Sequence, residues 1–154
     1  MYGYTQVLVQ VESNGVLSDV VPLTMSPAAP YVFTNPDATA IVINQDGSVN
    51  SASNPAAPGS IITSYGSGFG ETAPQGTDGH LATVPLPGPT LPLYAEVGAV
   101  PASLLYAGDA AGQVEGIIQV NLRLPASAYE GDVEVAVGND YMEFTVSVSH
   151  GGTR

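Results

Sequence analysis

Gly131-Asp132-Val133-Glu134-Val135-Ala136-Val137 and then Met142-Glu143-Phe144-Thr145-Val146-Ser147-Val148 decide the fold class. In both runs the apolar side chains fall on every second position, the period of a strand with one buried face. Val133, Val135 and Val137 share one face of the first strand. Met142, Phe144, Val146 and Val148 share one face of the second, with Glu143, Thr145 and Ser147 opposite.

Upstream the same pattern repeats. Ile118, Val120, Leu122 and Leu124 face one way, with Gln119, Asn121 and Arg123 facing the other. Leu91, Leu93, Ala95 and Val97 alternate with Tyr94 and Glu96, and after Gly98 the chain returns through Val100 to Tyr106. A glycine-rich connection, Ala107 to Gly112, is expected before the next strand. The expected core is Leu93, Val97, Leu104, Ile118, Val120, Leu122, Val135, Phe144 and Val146. Further upstream, Ala38 to Asn44 reads as a strand ending in the turn Gln45-Asp46-Gly47-Ser48, and Ser60 to Tyr65 as a short strand. Between them, residues 50–59 read as a loop. Five prolines within residues 71–92 predict a long irregular loop.

No stretch carries a 3.6-residue period. The 18 glycines and 13 prolines are interleaved with β-branched runs in a chain that is 44% hydrophobic. Short strands and many turns follow, so the fold class is all-β, an antiparallel β-sandwich of immunoglobulin-like kind.

The first residues form a separate unit. Val7, Val9 and Val11 alternate with Gln6, Gln10 and Glu12, Ser13-Asn14-Gly15 signals a turn, and Val16 to Met25 offers a second strand that Pro22 marks as an edge. Pro27 and Pro30 make the following connection extended and stiff. The expected division is a hairpin and proline-rich linker over 1–30, a sandwich over 31–150, and a tail over 151–154. A chain of 154 residues buries a core without staples, and with no cysteine it has no disulfides.

Charge excludes several functions. Fourteen acids face two arginines, Arg123 and Arg154, and no lysine, for a formal net charge of −12. Two cations do not neutralise a phosphate backbone, so nucleic acid and anionic membrane surfaces are not expected partners. Without lysine there is no Schiff base and no P-loop; without cysteine there is no thiolate chemistry and no zinc ribbon. No apolar window is long enough to span a bilayer. Met1-Tyr2-Gly3-Tyr4 shows neither a basic nor an apolar leader segment, so no signal peptide is expected in this stretch. The acidic, lysine-free, Ser/Thr/Gly-rich composition nonetheless suits a piece of an exported protein.

Candidate sites are few. His80, in the proline-rich loop, and His150 are the two histidines, and Asp78 or Asp109 are the acids a Ser-His-Asp arrangement would recruit. Gly66-Ser67-Gly68 lacks the spacing of a nucleophile elbow, so a solvated loop histidine is the expectation. Glu96, Glu134 and Glu143 all point outward, which suits solvated acids better than a glycosidase pair. Asn44, Asp46, Ser48 and Asn50 alternate oxygen ligands around Gly47 as part of a calcium loop does, yet one carboxylate is too little charge, and a turn is expected. Glycines 66, 68 and 70 have the wrong spacing for a dinucleotide loop and read as turn residues. No catalytic residue, metal or cofactor is assigned. The remaining surface is a polar sheet face with two aromatics, on which Tyr94, Gln119, Asn121, Arg123 and Tyr141 are the candidate binding residues, with polysaccharide as the ligand.

Asn44 to Asn50, Asn54 to Ser60, Tyr65 to Gly70, Val97 to Ala102, Leu105 to Gly108, Gly112 to Val114 and Gln119 to Pro125 together match a known pattern. Over roughly residues 5–149 the chain resembles a Solibacter-type (acidobacterial) C-terminal domain family of secreted proteins. Its second half is similar to immunoglobulin-like domains of the IPT/TIG type. The resemblance implies an extracellular module at the end of a large exported protein, and the family carries no agreed catalytic residues. Residues 4–25 look like the last two strands of a preceding similar domain. The expected function is a non-catalytic structural, adhesive or assembly module, secreted or on the cell surface. Its expected partners are a second copy, engaged through residues 4–25, or neighbouring domains of the parent protein. A carbohydrate-binding module is the alternative.

Overall fold

The computed structural model describes residues 6–128 and 131–149. His150, the 151–154 tail and residues 4 and 5 of the expected hairpin lie outside the described residues. Among the described residues fifteen strands follow one another: β1 (Gln6–Val9), β2 (Glu12–Ser13), β3 (Val16–Leu17), β4 (Val21–Thr24), β5 (Tyr31–Val32), β6 (Val42–Asn44), β7 (Ile61–Ser67), β8 (Thr72–Ala73), β9 (Gly88–Pro89), β10 (Leu93–Val97), β11 (Val100–Pro101), β12 (Ser103–Asp109), β13 (Ile118–Arg123), β14 (Gly131–Val137) and β15 (Asp140–Val146). Among the described residues there is no helix, and the chain is an all-β, sandwich-like protein.

Two antiparallel sheets enclose the core. One has the order β11-β10-β14-β15; the other runs β12-β13-β7-β5, with β6 also on β7. The alternation read from the sequence selects the inward faces. Val133, Val135 and Val137 are fully buried, as are Val120, Leu122 and Val146. Phe144, Val97 and Ile118 join them, whereas Leu93 and Leu104 of the expected core are half-buried at its margin. Phe69, Ile62, Val42 and Leu124 complete the interior.

Four expectations change. The segment after Gly98 does not return along a single strand. Val100 and Pro101 pair with β10, and the chain then crosses to the opposite sheet, where β12 runs on to Asp109. The glycine-rich connection therefore starts at Ala110 rather than Ala107. The expected strand over 38–44 shortens to β6, because positive φ at Ala38 turns the chain within the Thr34–Ala40 bridge. The 71–92 loop is irregular but not loose. β8 pairs with β9, and Ala82 exchanges backbone hydrogen bonds of 2.8 and 2.9 Å with Gln113 and Gly112 of the 110–117 turn.

Candidate interaction surface

The N-terminal hairpin forms as the turn chemistry dictates. Asn14 and Gly15 both have positive φ, 52° and 77°, as a two-residue turn with the twist of the flanking strands requires. Glu12 and Ser13 pair with Leu17 and Val16, and Gln6 to Val9 pair with Thr24 to Val21. Ser18 stitches the middle: its N–H donates to Val11 O, and its hydroxyl accepts from Val11 N–H. Val7, Val9, Val21 and Leu23 consequently share one face.

Among the described residues nothing buries that face. Ten large apolar side chains between Val7 and Met25 are exposed, from 36% at Val7 to 72% at Leu8. Among the described residues, no backbone hydrogen bond joins residues 6–25 to the sandwich. Only two of the fourteen acids, Glu12 and Asp19, lie in this stretch, so it is apolar on an otherwise acidic molecule.

The hairpin's root is held firmly. Ala29 N–H donates to Gly68 O at 2.8 Å, Ala28 is buried, and Ser26 Oγ donates to Asp140 Oδ2 at 2.9 Å at the start of β15. Glycines 66, 68 and 70 explain how the linker lies so close. A Cβ on Gly66 would collide with Tyr31 O, one on Gly68 with Ala29 O, and one on Gly70 would lie 2.6 Å from Pro27 O. Gly66 lies within β7 rather than in a turn, because Tyr31 pairs across it, while Gly68 and Gly70 have positive φ just beyond the strand; all three share a close-approach role that spacing alone does not reveal.

The candidate sugar-binding residues do not form one face. Tyr94 on β10 and Tyr141 on β15 lie in one row on the outer face of the first sheet, with Ala136 between them. Gln119, Asn121 and Arg123 belong to β13, in the other sheet. Alternation says which residues point outward, but not from which of two sheets. The β13 set is engaged locally: Gln119 Nε2 and Thr63 Oγ1 both donate to Asn121 Oδ1 at 3.0 Å, and Arg123 donates to Gly59 O at 3.1 Å. Gln119 instead lines a hollow of about 310 Å³ with Phe33, Tyr65 and Ile117. No alternation in the sequence pairs its two aromatics, because Phe33 lies in no regular strand and Tyr65 precedes a glycine run.

The outward glutamates form a row, Glu96 beside Glu134 beside Glu143. Adjacent strands are about 4.8 Å apart, and like charges placed directly opposite are destabilising. The Asn44–Asn54 oxygens satisfy one another. Asp46 Oδ1 accepts from Ser48 N–H and Oγ–H, and these bonds, the side-chain one first, hold the Asp46 carboxyl below the usual range. Asn50 Nδ2 donates to Asn44 Oδ1 and to Ser147 O, while Ser147 N–H donates to Asn50 Oδ1. The segment is a clamp on the end of β15, and Gly47, with φ of 85°, makes its turn.

The would-be triad is not assembled. His80 is exposed at a turn, and its carbonyl accepts from Glu115 N–H. Asp109 is only 1% exposed and pairs with Ile118 on the inward side. Its Oδ2 accepts from Gly116 N–H at 3.3 Å and its Oδ1 has no partner. Burial pushes the Asp109 carboxyl up, the Gly116 bond opposes this, and Glu115 adds to it. Tyr106, whose hydroxyl donates to Asp109 O, is also pushed up, by burial and then by the Asp109 charge. Among the described residues no three acidic or histidine side chains converge on a metal position.

Comparison with protein-family models, with curated proteins and with solved structures gives no match. The class is therefore defined by the architecture itself: an all-β sandwich bearing an exposed apolar hairpin.

Proposed function

We propose that this chain is a non-catalytic structural or assembly module of a larger exported protein, acting outside the cell by self-association through its N-terminal hairpin. One observation carries the reading: ten exposed large apolar side chains within residues 6–25, on a ribbon with free edges. A two-stranded hairpin alone is marginal in water, and an uncovered apolar ribbon gains by burying itself against another surface. The well-held root supports this, since it presents the hairpin from a fixed point. The acidic, lysine-free composition and the immunoglobulin-like sandwich suit an exported multidomain protein.

Light scattering on the intact chain and on one beginning at Ser26, which keeps the linker anchor, tests the proposal. Association of the first and a monomeric second are expected; equal monomer masses would remove it. Carbohydrate binding is the second reading, favoured by Tyr94 and Tyr141 standing in one row over Ala136. Pull-down on insoluble polysaccharides, lost on Tyr94→Ala, is its test.

A further inference from the structure

The free edge of β15 has a definite polarity. Ser147 N–H and C=O both point away from β14, because Asn50 and Ala56 bond them there. In an antiparallel pair the backbone groups of successive residues alternate between the two sides. Tyr141, Glu143 and Thr145 therefore present their N–H and C=O groups on the same open side. Among the described residues none of these groups has a backbone partner beyond β14. The Asn50 amide already imitates a neighbouring strand at Ser147, with bonds of 2.8 and 2.9 Å. Glu143, Phe144 and Thr145 line a cleft of about 770 Å³ together with Tyr31, Val32 and Thr34, where β5 packs against β15.

We propose that this edge and cleft accept strand β1 of a second copy of the chain, which adds to β15 as an extra strand. The inference rests on the assembly reading and names its receptor. Gln6-Val7-Leu8-Val9 is uncharged and free of proline, whereas β4 carries Pro22 and lacks one donor. Added beside β15, Val7 and Val9 extend the apolar layer next to Phe144, and Leu8 stands on the outer face next to Glu143. The donor comes from another molecule. The hairpin's own root is fixed at Asp140, the start of this same edge, and the strand continuous with that root is β4. Folding a chain's own hairpin onto its own edge would present the proline strand, with β1 outermost. Each copy thus offers one donor strand and one acceptor edge. Such an interface closes as a reciprocal pair or a larger ring, or continues as an open chain, according to the rotation between copies.

The absence of native cysteine makes a direct test clean. Leu8→Cys protein is mixed, under mild oxidation, with Tyr141→Cys, Glu143→Cys or Thr145→Cys protein, the three positions covering the possible registers. A disulfide between the two different variants, in one register above the others, is the expected result. Cross-linking of Leu8→Cys only with itself, with association intact, would overturn the β15 receptor while leaving hairpin-driven assembly standing. A Leu8→Cys/Glu143→Cys double variant that closes within one monomer would show the chain's own hairpin to be the occupant. A monomeric intact chain would overturn both proposals. As a second variant, Glu143→Pro removes an outward N–H that makes no bond to β14, so the sandwich keeps its pairing. It is expected to abolish association with an unchanged circular dichroism spectrum, and retained association would count against the edge.

Discussion

The hairpin and the β14–β15 pair are written in the same code and end in opposite environments. Val7 and Val9 alternate along β1 as Val133 and Val135 do along β14. The β14 valines are fully buried; the β1 valines are 36% and 40% exposed. Alternation therefore specifies that a segment is a strand and which face is apolar, but not what lies over that face. In the sandwich the answer is the opposite sheet. In the hairpin no described part of the chain lies over that face, and the apolar side chains stay exposed.

The comparison breaks first at Phe144. Phe144→Ala is expected to lower unfolding free energy by about 3–5 kcal/mol in a denaturant titration, as for other large buried side chains. A loss near that of a surface change would mean the inward face of β15 is misassigned. Gly68→Ala comes next. The added Cβ meets the Ala29 carbonyl in a positive-φ position, so a cost of at least about 1–3 kcal/mol is expected, with faster proteolysis ahead of residue 30 as the linker is displaced. Unchanged stability and cleavage would mean the root is not fixed. At the other extreme, Leu8→Ala is expected to leave the unfolding free energy of the monomer within about 0.5 kcal/mol while weakening association.

Acid and base sharpen the same contrast between interior and surface. Asp109 has a folded-state pKa above its unfolded value, because burial disfavours its charge. Its contribution to stability is thus greatest below the unfolded pKa, near about pH 4, and declines as pH rises through the folded pKa. Exposed Asp37 and Asp46 run the other way: hydrogen bonds from Thr39 and Ser48 lower their pKa, so they stabilise above that range and lose the effect as pH falls. Asp109→Asn is expected to gain on the parent chain as pH rises from about 4 to about 8. A stability difference that stays flat with pH would show that Asp109 is not buried as described.

Much of the fold was legible in the sequence because it is local. The Asn14-Gly15 turn, the Asp46-Gly47 turn and the inward sets of β13, β14 and β15 follow from turn chemistry and a period of two. Sheet membership was not legible, because the outward face of β13 and that of β10 carry the same signature. Gln119, Asn121 and Arg123 were therefore grouped with Tyr94 and Tyr141 from which a whole sandwich separates them. The glycines at 66, 68 and 70 read as turns, while their close-approach role depends on a segment more than thirty residues away in sequence. The apolar valines of β1 were legible as a face in need of cover. The open edge of β15 was not, since it is defined by where Asn50 and Ala56 stop pairing.

Like charge also bears on assembly. Copies at −12 repel one another, and salt screens that repulsion over about 10 Å or less at 0.1 M, so an apolar contact between them strengthens as salt is added. The most direct measurement is the mass of the intact chain by light scattering across a concentration series at moderate salt, beside a Val7→Glu/Val21→Glu variant. The account predicts a mass that rises above the 15.6 kDa monomer for the intact chain and stays at the monomer for the variant. An intact chain that remains at the monomer mass at every concentration and salt would contradict it.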